Sequence, residues 1–227
     1  MEVIERSSTL ADRAYRSILE AICEGRLVPG EKLTQDVIAE RLKISRIPVA
    51  QALLTLKRQA FVQQNGRRSL FVTRPDPKFF SAIYQIRSTL DPLAAQLAIK
   101  NVTPESVTTC ERILSAGERA MNSGNMSKLV AADMEFHMFI YRLSGNQLIS
   151  ETMELYWNHL RRGIVAIYRT RAHRGNIWKE HAAIFRAITD SDSRHAKALA
   201  LQHVQIASKV VPAALAALGD ALAERHH

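Results

Sequence analysis

The first part of the chain carries apolar residues at helical spacing, interrupted by short polar breaks. One stripe is formed by Leu10, Ala14, Ile18 and Ile22. Steps of four residues predict one buried face of an α-helix, and Gly25 ends that helix. Pro29-Gly30 then predicts a turn before the next element.

Two short helices are predicted after this turn. Thr34 fits the N-cap of a helix from Gln35 to Leu42, and Ser45 fits the N-cap of a helix that extends to Gln59, with Pro48 tolerated in its first turn. The expected inner faces are Val37, Ile38 and Leu42 in the first, and Val49, Leu53, Leu54 and Leu56 in the second. Two short helices joined by a tight turn indicate a helix-turn-helix.

A β-hairpin is predicted directly after the third helix. Phe61-Val62 and Leu70-Phe71-Val72 are short β-type runs on either side of Asn65-Gly66, a strong hairpin signal. Three helices followed by a hairpin predict a winged helix-turn-helix domain over residues 1–75.

The rest of the chain, residues 76–227, predicts helix throughout, so the fold class is mainly α. The expected helices are Lys78–Lys100, Thr103–Ser123, Ser127–Leu143, Gln147–Arg174, Trp178–Thr189 and Ser193–Leu222. The sequence contains no phosphate loop, dinucleotide fingerprint, G-x-S-x-G elbow or H-E-x-x-H pair. An all-α helical bundle that follows a predicted DNA-binding domain is expected to sense an effector or to form a dimer.

Charge supports the DNA-binding interpretation of the first domain. The 227 residues carry a formal net charge of +9, and every charged residue from Arg41 to Arg74 is basic. A stretch of one sign attracts phosphate, although a solvated face explains such a stretch equally well when charge is considered alone.

Composition predicts a cytoplasmic protein that does not span a membrane. No apolar run approaches the length needed to cross a bilayer, and the N-terminus lacks a secretory signal. Cys23 and Cys110 are far apart and show no metal-binding spacing, which favours a reducing compartment.

The first domain resembles the GntR family of bacterial transcription regulators. The resemblance lies in the segments Pro29 to Leu33, Ile38 to Leu42 and, above all, Ser45 to Leu53, which is similar to the family pattern S-R-x-P-V-R-E-A-L. It implies that the helix beginning near Arg46 enters the major groove of double-stranded DNA and that the wing contacts the backbone or minor groove.

The expected DNA contacts follow from this resemblance. They are Thr34, Gln35, Ser45, Arg46, Ile47, Pro48, Gln51, Arg67 and Arg68. The sequence departs from the family pattern at Asp36, Ala50, Gln51 and Ser69, so we expect a palindromic operator whose base sequence differs from the usual one.

The predicted bundle contains a group of inward-facing ionisable residues. Asp133 and His137 are four residues apart, which puts a carboxylate and an imidazole on one face of a helix. His181 and His203 each lie on an apolar helical stripe. Three imidazoles and one carboxylate suit a divalent metal such as zinc, nickel, iron or manganese, whereas hydrogen-bonded core histidines are the structural alternative.

These residues also resemble the FCD domain, the effector domain of FadR-type GntR regulators. The similar pattern is Asp133-x-x-Phe136-His137, Glu180-His181 and then His203. The resemblance implies that Asp133, His137, His181 and His203 hold one divalent cation, most readily zinc, at the floor of a cavity between helices.

Arg87 matches the arginine of the family's R-x-x-x-E pattern, with Asp91 in place of the usual glutamate. A guanidinium can grip a carboxylate through two parallel hydrogen bonds, so Arg87 is a candidate anchor for a small carboxylate effector. A structural ion pair with Asp91, one turn away, explains Arg87 equally well. The acid-free run from Leu155 to Lys179 contains further arginines that could face the cavity.

The sequence therefore predicts a homodimeric, sequence-specific transcription regulator, a repressor by expectation, that is controlled by a small carboxylate bound at a metal. Whether the effector releases or captures DNA stays open. Two alternatives remain: a DNA-binding dimer with a purely structural second domain, and a metal-dependent hydrolase. The hydrolase lacks a general base once the carboxylate and the histidines serve as ligands, so no enzyme activity is expected.

Overall fold

A computed structural model describes residues 9–66, 69–169 and 176–224. The chain divides into two compact units, Met1–Arg74 and Pro75–His227, each with its own hydrophobic core. The division falls at the Pro75-Asp76-Pro77 segment, where two proline rings remove backbone donors and disfavour a continuous helix.

The first unit is a winged helix-turn-helix, as the hydrophobic pattern predicts. Its elements are α1 (Leu10–Cys23), β1 (Lys32–Leu33), α2 (Gln35–Leu42), α3 (Arg46–Arg58), β2 (Val62–Asn65) and β3 (Ser69–Val72). β3 lies between β1 and β2 and pairs antiparallel with both. The Thr34 side chain accepts a hydrogen bond from the Val37 backbone N–H and caps α2, and Lys43 ends that helix in the left-handed region at φ 54°.

Two details of the first core differ from the sequence prediction. The side chains of Val37 and Leu54 are 45% and 49% exposed, whereas Ala39 and Ala52 are buried in their stead. Alanine at these positions lets the helices approach closely, so the inner faces of α2 and α3 are shifted from the ones that the larger residues predict. Strand β1 was also not predicted, since a two-residue strand has no periodicity to detect.

The second unit is a bundle of helices with no strand among its described residues. Its elements are α4 (Pro77–Ala98), a 3₁₀ turn (Ile99–Asn101), α5 (Pro104–Ser123), α6 (Met126–Leu143), α7 (Gln147–Arg169), α8 (Ile177–Thr189) and α9 (Ser193–Glu224). Asp76 caps α4, and Thr103 caps α5 through a capping box. The end of the predicted Gln147–Arg174 helix lies outside the described residues.

Large aromatic and aliphatic side chains fill the second core. Those that are almost completely buried include Tyr84, Phe80, Phe136, Tyr141, Met153, Leu160 and Tyr168. Ionisable residues are buried among them: Arg87, Asp91, Asp133, His137, His159, His181 and His203. Unpaired charges are rarely left in such an environment, so these groups require partners within the core.

No helix within the described ranges combines the length and the apolar character needed to span a membrane.

Gly117 of α5 supports the site indirectly, because the Trp178 ring lies over its Cα and also packs edge-on against His181, with the ring centroids 5.0 Å apart. A methyl group added at Gly117 would collide with that indole.

We expect Gly117→Ala to lower the free energy of unfolding, because overpacking costs about 1–3 kcal/mol and exceeds the roughly 1 kcal/mol that alanine gains in helix propensity. Urea denaturation measures this change. Ser115→Ala, at an exposed position of the same helix, is the matched control, and equal stability of the two variants would contradict the prediction.

Candidate functional site

Three helices bring the predicted metal ligands together in the core of the second unit. α6 supplies Asp133 and His137 from adjacent turns of one face, α8 supplies His181, and α9 supplies His203. All four side chains are buried. The i, i+4 spacing and the apolar stripes of α8 and α9 therefore lead to one cluster.

The distances within this cluster suit a single ion. One ring nitrogen from each of His137, His181 and His203 lies within 4.8 Å of the others. The Nε2 atoms of His181 and His203 are 3.3 Å apart, and the Asp133 Oδ1 atom lies 3.8 Å from His181 Nε2. Zinc–nitrogen bonds of about 2.0–2.1 Å place two nitrogens on one ion roughly 3 Å apart, so the histidine pair needs little adjustment to share an ion.

Burial keeps two of the histidines in the cluster unprotonated, which is the state that can bind a cation. Burial, together with the nearby Arg87 and the other histidines, holds the pKa of both His137 and His181 well below the usual value. Both rings are therefore neutral near pH 7, with lone pairs available. Burial raises the pKa of Asp133, while His203, Arg87 and the Tyr168 hydroxyl oppose that rise.

Two residues that sequence reasoning did not assign orient the ligands. His203 Nδ1–H donates to Glu180 Oε2 at 2.7 Å, which leaves Nε2 directed toward His181. The Tyr168 hydroxyl donates to Asp133 Oδ1 at 3.2 Å. Carboxylate partners of this kind fix the tautomer and ring direction of ligating histidines. Glu180 directly precedes His181 in the sequence, and that adjacency was the available signal.

Aromatic packing orients His181. Its ring stacks on Phe136 with centroids 4.1 Å apart and an angle of 19°, and Trp178 packs against it edge-on. Its Nδ1 atom is buried and has no hydrogen-bond partner within the described ranges. His181 is thus held by ring contacts while Nε2 faces the cluster.

A cavity of about 340 Å³ opens beside the cluster. Its polar wall is formed by Arg87, Asp133, His137, Glu180 and His203, with Asn176 nearby; Ile164, Ile177, Ile206, Ala207 and Val210 form the apolar wall, and Tyr84 and Tyr168 complete the lining. A few convergent polar groups in a mostly apolar cavity of this size suit one small ligand.

Arg87 forms the ion pair with Asp91 and also lines the cavity. Its Nη2 and Nε donate to Asp91 Oδ2 at 2.7 and 3.1 Å, while Asp91 Oδ1 accepts from the Tyr141 hydroxyl at 2.6 Å. Arg87 Nη2 also lies 3.2 Å from His137 Nδ1, and the side chain lines the cavity. Burial disfavours its charge, but Asp91 and the two tyrosines outweigh that effect and hold the pKa of Arg87 well above its usual value.

The other arginines predicted near the cavity are placed differently. Arg161 and Arg162 are half-buried on α7 and are not part of the described cavity wall. Arg171 and Arg174 lie outside the described residues, as does the side chain of Arg169. Arg87 is the guanidinium that the described residues bring to this cavity.

In the first unit, α3 presents most of the predicted DNA contacts at its N-terminus. Ser45, Arg46, Ile47 and Gln51 are exposed, as is Gln35 on α2, and Thr34 is half-buried as the α2 cap. Ile47 is 72% exposed, which is unusual for a large apolar side chain and suits contact with a thymine methyl group. Pro48 is buried, and its fixed φ fits the first turn of the helix. Arg67 and Arg68 lie outside the described residues.

Arg46 is paired only at the surface. Its Nη1 atom lies 2.9 Å from Asp36 Oδ1, and both side chains are more than two-thirds exposed. Exposed pairs of this kind contribute about 0–1 kcal/mol, so the guanidinium can exchange this partner for a base or a phosphate at little cost.

Two family models match the chain. One, described as "Bacterial regulatory proteins, gntR family", matches residues 10–72, and one described as "FCD domain" matches residues 82–206. The latter spans more than half of the chain, on the bundle that contains the histidine cluster.

Individual proteins agree with these models. The uncharacterized HTH-type transcriptional regulator YdhC of Bacillus subtilis (strain 168) is 26% identical over 191 residues, which cover 83% of this chain and 85% of that protein. The HTH-type transcriptional regulator McbR of Escherichia coli (strain K12) is 27% identical over 144 residues, 63% of this chain and 65% of that protein. The solved structure of E. coli McbR/YncC superposes with a TM-score of 0.76 at 21% identity, covering 90% of this chain and 98% of that one, and so supports the fold.

We expect the four-residue cluster to bind one divalent ion per chain, and His181→Ala to lower bound metal at least tenfold, because it removes the most deeply buried ligand. Elemental analysis after growth with zinc and purification without a histidine tag measures the content. His195→Ala removes an exposed imidazole outside the cluster and is the control. Equal metal in His181→Ala, His195→Ala and the unmodified chain would contradict the assignment.

Proposed function

The chain belongs to the GntR family of bacterial regulatory proteins and carries an FCD domain, and from this premise we propose a homodimeric cytoplasmic regulator whose affinity for a palindromic operator is controlled by a small carboxylate. The chain is a DNA-binding transcription regulator and not an enzyme. The observation that carries the finer proposal is the buried three-histidine cluster that opens onto a cavity lined by Arg87.

DNA recognition is assigned to the N-terminal end of α3. Arg46 suits a bidentate contact with guanine, Gln51 one with adenine, and Ile47 contact with a thymine methyl group. Ser45 makes no side-chain cap bond on its own helix, so its hydroxyl can meet a phosphate. Thr34 caps α2 and Gln35 is its first residue. The free backbone N–H groups at this helix N-terminus can bind a DNA phosphate. Arg67 and Arg68 are proposed to contact the minor groove or the backbone.

Effector binding is assigned to the cavity in the second unit. Asp133, His137, His181 and His203 would hold the divalent ion, and zinc suits this nitrogen and oxygen set. When bound, the ion supplies positive charge and a coordination position that a ligand carboxylate can fill. Arg87, held in place by Asp91 and Tyr141, offers guanidinium donors to a second oxygen. The apolar wall accepts the carbon skeleton and excludes water.

Regulation follows if the carboxylate binds one arrangement of the dimer more tightly than another. The difference in affinity then shifts the population toward the arrangement in which the two α3 helices match, or do not match, the separation of the half-sites. The sign of that difference decides whether the ligand releases DNA or retains it.

We expect Arg46→Ala to weaken binding to operator DNA by about 1–3 kcal/mol, since it removes a bidentate base contact. Fluorescence anisotropy on duplexes selected from a random library measures the affinity at fixed salt. Arg26→Ala also removes one exposed charge, but from the loop before β1, and should change affinity much less. If both variants lose affinity equally, Arg46 contributes only general charge, and base readout at this position is wrong.

A thermal-shift screen tests effector control. Short mono-, di- and hydroxycarboxylic acids are compared with the corresponding alcohols, with and without chelator. A ligand at a hundred times its dissociation constant stabilises the native state by about 2.7 kcal/mol, and we expect this for some acids in the metal-loaded protein only. Stabilisation that persists with chelator would remove the metal from the proposal, and no stabilisation by any acid would favour a purely structural second unit.

A further inference from the structure

The cavity beside the histidine cluster changes in character with distance from the proposed metal ligands. On α9, His203 is followed by Ala207 and Val210 about one and two helical turns later, and all three line the cavity. Because an α-helix rises about 1.5 Å per residue, Val210 lies about 10 Å along the helix from His203. The described lining of α9 is therefore polar at the metal-binding end and aliphatic for two turns beyond it.

α8 repeats this arrangement in the opposite chain direction. Ile177 lines the cavity and lies one turn before His181. Only residues 190–192 separate α8 from α9, and a connection this short joins antiparallel helices. The turn before His181 is thus at the level of the turn after His203, and Ile164 of α7 adds a third aliphatic surface to the same cavity. We call Ile164, Ile177, Ile206, Ala207 and Val210 the aliphatic wall.

The charged groups of the lining are already paired or balanced at the metal-binding end. Glu180 Oε2 accepts from His203 Nδ1–H at 2.7 Å, and Arg87 donates to Asp91 through both Nε and Nη2. Histidines that bind a metal are neutral, so Asp133 and Glu180 together offset the two charges of a divalent ion. Within the described lining, a second ligand carboxylate would find no uncompensated cation.

We propose that the effector is a monocarboxylate with an unsubstituted hydrocarbon chain, its carboxylate at the metal-binding end and its chain along the aliphatic wall. This inference rests on the proposed carboxylate control and narrows it to one chemical class. Each methylene that leaves water for the wall strengthens binding about fourfold.

The same wall acts against two other classes of acid. A sugar acid would place hydroxyl groups against aliphatic side chains, where they lose their hydrogen bonds to water. A dicarboxylate would place a charge there, which costs more. The exposed Asn176 offers a partner to a hydroxyl beside it but not to a row of them.

Titration calorimetry on the full-length, zinc-loaded chain with four matched acids tests the class. Hexanoate and adipate differ by one carboxylate, gluconate has the carbon count of hexanoate but carries hydroxyl groups, and acetate lacks the chain. We expect hexanoate to bind about tenfold tighter, or more, than each of the other three.

The outcomes separate this inference from the proposed function. Equal affinity for hexanoate and acetate, or tighter binding of adipate or gluconate, overturns the inference and leaves carboxylate control intact. If hexanoate does not bind but another acid of the thermal-shift screen does, the inference is wrong and carboxylate control stands. If no acid binds, both fail.

A cavity-filling substitution tests the placement of the chain. Ala207→Leu fills space one turn from His203, so it is expected to weaken hexanoate binding about tenfold or more, with acetate affinity and zinc content unchanged. Ala198→Leu, at an exposed position of the same helix, is the matched control. Val210→Thr keeps nearly the same volume and makes the wall polar, and it is expected to weaken hexanoate binding about threefold or more. Circular dichroism checks the fold. Folded variants at 207 and 210 that bind hexanoate as tightly as Ala198→Leu overturn the placement.

Discussion

The burial of ionisable side chains inside an apolar helical bundle is the constraint on which the second unit depends. A guanidinium, two carboxylates and four imidazoles lie in a core that cannot solvate them. Arg87 keeps its charge because Asp91 meets it, and Asp91 is in turn fixed by the Tyr141 hydroxyl. His137 and His181 respond differently: burial and the nearby positive charge keep them neutral, so their nitrogens are available as ligands. The core therefore contains two kinds of ionisable group: the charged Arg87–Asp91 pair and the neutral histidines. A small molecule in the cavity could meet the Arg87 guanidinium on one side and a metal ion held by the histidines on the other.

Helix caps and apolar periodicity were sufficient to predict most of the helices of this protein. The predicted N-caps at Thr34 and Ser45 and the apolar steps of each helix give element boundaries close to those found. Periodicity predicted only that the histidines face inward, and the resemblance to the FCD domain predicted that α6, α8 and α9 bring them together. Val37 and Leu54 were predicted to be buried because they are large and apolar. The structure buries the smaller Ala39 and Ala52 instead, because neighbouring helices pack against the side of α2 and α3 on which the alanines lie. Glu180 adjoins His181 in the sequence but holds His203, and Tyr168 holds Asp133 from a position 35 residues away, so tertiary structure was needed to assign both contacts.

The positive charge of the chain has two separate roles once the positions of the charged residues are known. The basic run from Arg41 to Arg74 belongs to the unit that contains α3, where phosphate is the expected partner. The cavity draws on Arg87 alone among the described guanidinium groups, and this arginine is distant in sequence from the acid-free run that suggested an anionic ligand. Arg161 and Arg162 of that run lie half-buried on α7, outside the cavity wall. A net charge of +9 is therefore a poor guide to any one partner, whereas the position of each charge in the structure is informative.

α7 connects the cavity to the proposed metal ligands. Ile164 and Tyr168 contribute to the cavity lining, and the Tyr168 hydroxyl also holds Asp133, a proposed metal ligand. Because packed cores favour discrete arrangements, a ligand that alters how Tyr168 packs would also alter the hydrogen bond that orients Asp133. An effector in this cavity and a metal ion held by Asp133 are therefore coupled through one side chain of α7, without a long chain of intermediate contacts.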